Sequence, residues 1–229
     1  MSDGLLGRLR GGLIVSVQAW KGSALDDPQV IAAMARAAQD GGAVAVRIQG
    51  VECLRAVRAC VGLPIVGLIK REYDGFAPYI TPTLEEVRAI AATGAEIVAF
   101  DATGRARPGG ASVADMVEAI QHAGCRAMAD CATAADALCA QAAGAEIVAT
   151  TLCGYTAETA GHPLPALDLV RELSELDALA ICEGGIHRPE QVRQALDAGA
   201  GAVVVGTAIT NVDWLVRQFA GSADGARNR

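Results

Sequence analysis

The sequence has few aromatic residues, and its histidines and cysteines do not fall at the spacing of metal ligands. Phe, Trp and Tyr make up 3% of the 229 residues, so no aromatic platform for stacking nucleic acid bases is expected. The three histidines are scattered, and none of the seven cysteines belongs to a C-x-x-C pair. This argues against a zinc site and predicts reduced, mostly buried cysteines that act as small hydrophobic residues.

The chain also lacks an excess of positive charge and any long apolar run. A net charge of -7 and a pI near 5.0 argue against broad binding to nucleic acid or anionic membranes, but not against one small anionic ligand. No segment reaches the roughly 20 apolar residues of a membrane span. The apolar run at 13–17 is too short for a signal peptide, and no A-x-A site follows it. We therefore expect a cytoplasmic protein with no membrane or nucleic acid partner.

What the chain does have is an internal repeat. The segments 92–103 and 142–152 share the run G-A-E-I-V-A, and the segments 39–50 and 197–209 follow the same plan. In each, a helical stretch ends at glycine, as a C-cap would, and an apolar run begins at once. The repeat predicts a helix followed by a buried strand.

Eight apolar runs are candidate strands, at 13–18, 43–49, 64–70, 96–101, 125–130, 146–151, 178–183 and 202–206. Amphipathic stretches separate them, and Thr83 with Glu86 is typical of a capping box at a helix start. Buried strands that alternate with helices imply a parallel sheet covered on both faces. Eight such units favour an α/β fold, the (β/α)8 TIM barrel, over an open doubly wound sheet. We expect one domain over residues 1–229, with 221–229 as a frayed tail.

In such a barrel the chemistry lies at the carboxyl ends of the strands. Polar residues stand at or near these predicted ends: Gln18, Arg47, Lys70, Asp101, Asp130, Thr151, Glu183, Gly206 and Thr207. Lys70 ends the run PIVGLIK, and a lysine there is either an ordinary surface residue or a functional one. The other polar residues at the same mouth favour the functional interpretation.

Lys70 and Glu183 are the natural acid-base pair. They end the third and seventh predicted strands, so a small substrate can lie between them. A partly dry pocket lowers the pKa of a lysine toward use as a base and raises that of a carboxyl toward use as an acid. Two such groups on opposite faces of one carbon would catalyse epimerisation. The alternative for Glu183 is a structural ion pair with a neighbouring arginine.

Small residues follow the last two predicted strands, where barrels often bind phosphate. Gly184 and Gly185 follow one strand, and Gly206 and Thr207 follow the other. Their backbone N–H groups can approach an anion closely, which suits an acidic protein.

Two further acidic positions have two interpretations each. Asp130 either contacts substrate hydroxyls or caps a helix. Asp101 lies close to Arg105 and Arg107, and these three residues form either a structural ion-pair network or a substrate contact.

Over nearly its whole length the chain resembles the N-acetylmannosamine-6-phosphate 2-epimerases, bacterial (β/α)8 enzymes of sialic acid catabolism. The resemblance is carried by the stretches GGLIVSVQA (11–19), PIVGLIKREY (64–73), YITPTLEEV (79–87), DATGRARPGG (101–110), MADCAT (128–133), ATTLCGYT (149–156), EGGIHRPEQ (183–191) and AVVVGTAIT (202–210). It implies that Lys70 and Glu183 are the acid-base residues, while Gln18, Arg47 and Asp130 contact the sugar.

The resemblance further implies a phosphosugar substrate, no metal or organic cofactor, and a homodimer. The chain departs from the pattern at Gly185 and Asn211, where many members have arginine. Two other functions remain open: a barrel synthase whose lysine forms a Schiff base, and a sugar-phosphate sensor without catalytic activity.

Overall fold

The computed structural model describes the backbone of residues 3–227 and the side chains of residues 4–222. At its centre the strands form a closed parallel barrel in the order of the sequence, with β1 paired to β8. The strands are β1 (Gly12–Val17), β2 (Ala45–Gln49), β3 (Ile65–Leu68), β4 (Ile97–Asp101), β5 (Arg126–Asp130), β6 (Ile147–Ala149), β7 (Leu179–Glu183) and β8 (Ala202–Val205). Each overlaps its predicted segment, so the predicted (β/α)8 barrel is confirmed.

Helices connect the strands and surround the barrel. They are α1 (Asp3–Leu9), α2 (Pro28–Asp40), α3 (Val51–Arg58), α4 (Leu84–Ala91), α5 (Val113–His122), α6 (Ala134–Ala142), α7 (Leu167–Ser174), α8 (Pro189–Asp197), α9 (Thr207–Thr210) and α10 (Val212–Arg227). Because α10 continues to Arg227, residues 221–227 of the expected frayed tail are helical, and 228–229 lie outside the described residues. Whether this end frays in solution stays a prediction.

The strands are apolar throughout because both of their faces are buried. Alternate residues such as Ile14, Val66 and Ile147 fill the barrel interior, and the residues between them pack against the helices. Helix α4 starts with the predicted capping box: Thr83 Oγ1 accepts from Glu86 N at 3.4 Å, while Glu86 Oε2 accepts from Thr83 N at 3.0 Å.

The cysteines form no disulfide bonds, in agreement with the composition. All seven are free and four are buried, namely Cys125, Cys131, Cys153 and Cys182. Among the described residues, no helix is long and apolar enough to cross a membrane. The same residues include no group of three or more His, Cys, Asp or Glu side chains that could hold a metal ion.

Candidate active site

A cavity of about 1120 Å³ opens at the carboxyl ends of the strands. Eight of the nine predicted site residues line it: Gln18, Arg47, Lys70, Glu183, Gly184, Gly185, Gly206 and Thr207. The ninth, Asp130, lies beneath the floor and is fully buried. The tertiary structure thus brings together residues that are up to 189 positions apart in the sequence (18 to 207).

Arg47 was expected at a strand end, but it lies at the third position of β2. Because it points into the barrel one layer below the mouth, it is 1% exposed and reaches β5 and β7. Arg47 Nη1 and Nη2 donate to the two carboxylate oxygens of Asp130 at 3.1 and 2.6 Å. Nη1 also donates to Glu183 Oε2. These charged partners offset the cost of burying the guanidinium, although Arg47 Nε has no acceptor in the described part of the chain.

Glu183, the last residue of β7, is held in this network with its carboxylate only 15% exposed. Burial is the main cause that raises its pKa, and the charge of Asp130 acts in the same direction. Arg47, a hydrogen bond from Thr151 and the charge of Lys70 oppose the shift. The ion pair considered as a structural alternative therefore exists, but it leaves Glu183 facing the cavity with a pKa shifted toward use as an acid.

Lys70 lies two residues beyond Leu68, the end of β3, and its side chain is exposed in the open mouth. Its ammonium forms no ion pair with the described side chains, those of residues 4–222. Even so, the surrounding wall removes part of its hydration, and this lowers the pKa of Lys70. The positive charge of Arg47 lowers it further, against the opposing effects of Glu183 and Asp130. A lysine with a lowered pKa and no partner is available as a base.

The backbone that carries Lys70 is held by Thr81, a buried residue with a positive φ of 44°. The Thr81 hydroxyl accepts from Ile69 N at 3.2 Å and donates to Ala99 O at 2.7 Å. Thr81 N also donates to Ile69 O at 2.7 Å. Positive φ is strained for a β-branched residue and is typical of functional sites. These bonds fasten the residue before Lys70 to β4.

Gln18 and the glycine-rich loops line the remaining wall. Gln18 Nε2 donates to Ser16 Oγ at 2.9 Å, which leaves the amide oxygen of Gln18 without a partner among residues 4–222. The backbone N–H groups of Gly184, Gly185, Gly206 and Thr207 also make no hydrogen bond within that range. The loops therefore offer several donors to a ligand.

Glycine is favoured at position 185 by two features, its φ of 71° and the close approach of Leu164. A Cβ at this position would lie 2.4 Å from Leu164 Cβ, closer than any real contact. The loop between β6 and α7 therefore occupies the space into which a larger residue would have to fit. An arginine at this position would require the loop that carries Leu164 to move.

Two cavity residues were missed by the sequence reasoning. Thr151 was noted at a strand end without a role, and its hydroxyl lies 2.7 Å from Asp130 Oδ1 and 3.1 Å from Glu183 Oε2. Tyr79 lines the cavity half-buried, and burial followed by the charge of Asp130 raises the pKa of its phenol. The sequence signals were the place of both residues in stretches shared with the epimerases and, for Thr151, its position at a predicted strand end.

The cluster around Asp101 is a structural network. Arg105 Nη2 donates to Asp101 Oδ2 at 2.6 Å, and Arg107 Nη1 donates to the backbone oxygen of Asp101 at 2.9 Å. None of the three residues lines the large cavity. Of the two interpretations of this cluster, the structure shows the ion-pair network.

A second, smaller cavity of about 460 Å³ lies at the opposite end of the barrel, beside α1. Its charged residues Glu96 and Arg126 are already paired, with Arg58 and Glu146. It presents no free reactive group of the kind found at the mouth.

Comparison with known proteins matches this architecture to one family. The family described as "Putative N-acetylmannosamine-6-phosphate epimerase" matches residues 31–224. A Klebsiella pneumoniae protein named "Putative N-acetylmannosamine-6-phosphate 2-epimerase" is 48% identical over 207 residues, or 90% of this chain and 87% of that protein. A Cutibacterium acnes protein of the same name is 44% identical over 214 residues, covering 92% and 93%.

A solved structure agrees with the sequence relatives. The N-acetylmannosamine-6-phosphate 2-epimerase from Clostridium perfringens superposes with a TM-score of 0.92 at 40% identity, over 96% of this chain and 97% of that one. Both the sequence match and the structural match extend over nearly the whole barrel, including the cavity. The chain therefore belongs to the N-acetylmannosamine-6-phosphate epimerase family.

Proposed function

We propose that this protein inverts C2 of N-acetylmannosamine 6-phosphate to give N-acetylglucosamine 6-phosphate. One observation carries the proposal: in a chain of this family, Lys70 and Glu183 enter one cavity from opposite sides. In the closed order of eight strands, β3 and β7 are separated by three strands in either direction. A carbon bound between them presents one face to each proton carrier.

The reaction follows from the acidity of the C2 hydrogen. That hydrogen is acidic only when C1 is a carbonyl, so the sugar ring opens first. One carrier then removes the proton from one face, and the electron pair forms an enolate-like intermediate. The other carrier returns a proton to the opposite face, which inverts the carbon. The lowered pKa of Lys70 and the raised pKa of Glu183 suit the basic and acidic roles.

Binding of the rest of the substrate is divided among the other predicted residues. Gln18 and Arg47 line the cavity and are proposed to contact the sugar hydroxyls. For Asp130 the same contact stays a prediction, because both of its oxygens already accept from Arg47. The unpaired N–H groups of Gly184, Gly185, Gly206 and Thr207 are proposed to hold the 6-phosphate.

The test is incorporation of solvent deuterium at C2, followed by NMR. We expect EDTA-treated protein to exchange C2 and interconvert the two 6-phosphates without added metal. Absence of exchange with either sugar would overturn the proposed function. The unphosphorylated sugars should be much poorer substrates, and equal kcat/KM for both forms would remove the phosphate assignment.

The same preparation separates the other two functions. A Schiff-base synthase would be trapped on Lys70 by borohydride in the presence of substrate, whereas a proton-transfer epimerase would not. A sugar-phosphate sensor would bind without turnover. The homodimer implied by the resemblance also stays a prediction, which light scattering of the purified protein can check.

A further inference from the structure

The two oxygens of the Glu183 carboxylate are in different environments. Oε2 accepts from Arg47 Nη1 and lies 3.1 Å from the Thr151 hydroxyl. Oε1 has no hydrogen-bond partner within the described part of the chain, and Glu183 lines the cavity. Arg47 and Thr151 thus both contact Oε2, and Oε1 is left available to a ligand.

Thr150 bonds to the backbone of Glu183, and its neighbour Thr151 bonds to the Glu183 carboxylate. The Thr150 hydroxyl accepts from Glu183 N at 3.0 Å and donates to Glu183 O at 2.9 Å, which anchors the backbone. Thr151 bonds to the carboxylate itself and to Asp130. Because both threonines directly follow β6, one strand end fixes the position and the rotation of a side chain on the next strand.

We propose that Thr151 is a positioning residue that fixes Oε2 of Glu183 and thereby makes Oε1 the oxygen that exchanges a proton with C2 of the substrate. This inference rests on the proposed function. A hydroxyl has one proton, so Thr151 serves Asp130 or Glu183 at any moment. Arg47 also donates to both carboxylates, and Thr151 is the second donor that directs Oε2, rather than Oε1, toward this network.

The charged groups around Glu183 set the direction of the expected effect. Arg47 from β2 and Lys70 from the loop after β3 favour its charged form, whereas Asp130 from β5 disfavours it. The hydroxyl of Thr151 also favours the charged form. Removing that hydroxyl should therefore raise the pKa of Glu183 and move the matching limb of the pH–rate profile to higher pH.

The experiment compares Thr151→Val, which keeps the shape, with Thr151→Ser, which keeps the hydroxyl. In protein labelled with ¹³C at glutamate carboxyls, the Glu183 resonance is assigned by its loss in Glu183→Gln and titrated with pH. We expect Thr151→Val to raise the titration midpoint and to lower kcat about tenfold with little change in KM, because a hydrogen bond to a charged group is lost. Thr151→Ser should restore both.

A matched control is Thr93→Val, which removes a buried hydroxyl just after α4; within the described part of the chain this hydroxyl makes one hydrogen bond, to Ile90 O at 2.6 Å. It should change neither the Glu183 midpoint nor kcat. If wild-type protein turns over but Thr151→Val has the wild-type midpoint and kcat, the role of Thr151 is overturned and the epimerase stands. If wild-type protein shows no C2 exchange, the proposed function itself fails.

Discussion

The two sides of the mouth hold their proton carriers in different ways. Lys70 is carried by a backbone segment that Thr81 fastens to β4, and its ammonium is left free in the open cavity. Glu183 is held by its side chain, in a buried network with Arg47 and Thr151. One carrier depends on neutral hydrogen bonds to the main chain, and the other on paired charges.

The pKa shifts of the two proton carriers have different physical causes. The pKa of Lys70 is lowered mainly by lost hydration, and no partner needs to be displaced before it accepts a proton. The pKa of Glu183 results from burial set against three stabilising partners, so it is sensitive to each of them. Breaking the charge network on the Glu183 side should therefore cost more stability than breaking the hydrogen bonds on the Lys70 side.

The largest effect is expected from removing either carrier. Lys70→Ala and Glu183→Gln should each lower kcat by about 10²–10⁴-fold, the usual contribution of a general acid or base. Steady-state kinetics and C2 exchange measure the loss, with Arg193→Ala, whose side chain is 80% exposed on α8, as an unaffected control. Near wild-type turnover by Lys70→Ala would show that this lysine is only a surface residue.

The next largest effect is on stability, from breaking the charge network. Arg47→Met leaves Asp130 and Glu183 buried without their cation, and should cost about 3–5 kcal/mol of unfolding free energy. Urea unfolding provides the measurement. Arg126→Met removes a partly exposed pair with Glu146 and should cost at most about 1 kcal/mol. Similar losses of unfolding free energy in the two variants would mean that the ion pairs of Arg47 do not stabilise the Glu183 side of the mouth.

A smaller effect is expected where the loop after β7 meets Leu164. Gly185→Ala should lose about 1–3 kcal/mol through overpacking, in addition to about 1–2 kcal/mol for an alanine at positive φ. Gly75→Ala is the matched control, because Gly75 has a φ of 82° and nothing within 4 Å of an added Cβ. Equal denaturation midpoints for the two variants would contradict the close approach of Leu164.

On the Lys70 side the corresponding change is Thr81→Val. It leaves the buried Ile69 N–H and Ala99 carbonyl without the Thr81 hydroxyl, at a cost of about 1–3 kcal/mol, whereas Thr81→Ser keeps the hydroxyl. We expect kcat to fall in Thr81→Val and to recover in Thr81→Ser. Unfolding curves and kinetics measured together decide the point, and an unchanged kcat would mean that Lys70 does not depend on this anchor.

The smallest effect is a gain in stability when Lys70 loses its charge. Because the folded pKa of Lys70 is lowered, the unfolded chain binds more protons between the folded and unfolded pKa values, and stability rises with pH across that window. The charged ammonium of Lys70 therefore destabilises the folded state at neutral pH. Lys70→Met should raise Tm slightly at pH 7, and the gain should shrink toward pH 10, near the ordinary lysine pKa of about 10.4. A gain independent of pH would point to packing instead.

Much of the fold and part of the site could be predicted from local patterns in the sequence. The repeat at 92–103 and 142–152 and the eight apolar runs predicted the barrel, because buried strands and capped helices leave such patterns. The barrel then predicted that Lys70 and Glu183 share a mouth. Tyr79 left no pattern of this kind, and Thr151 stood at a predicted strand end without any indication of its role, since a threonine after a strand is common.

Local sequence patterns were enough to predict the alternation of strands and helices, their closure into one barrel, and the residue types at its mouth. The position of Arg47 within β2, its contacts with both Asp130 and Glu183, and the close approach of Leu164 to Gly185 emerge from the folded structure alone. Local patterns report what each segment buries. Contacts between β2, β5 and β7 depend on strand register and inward tilt, which are set only when the sheet closes.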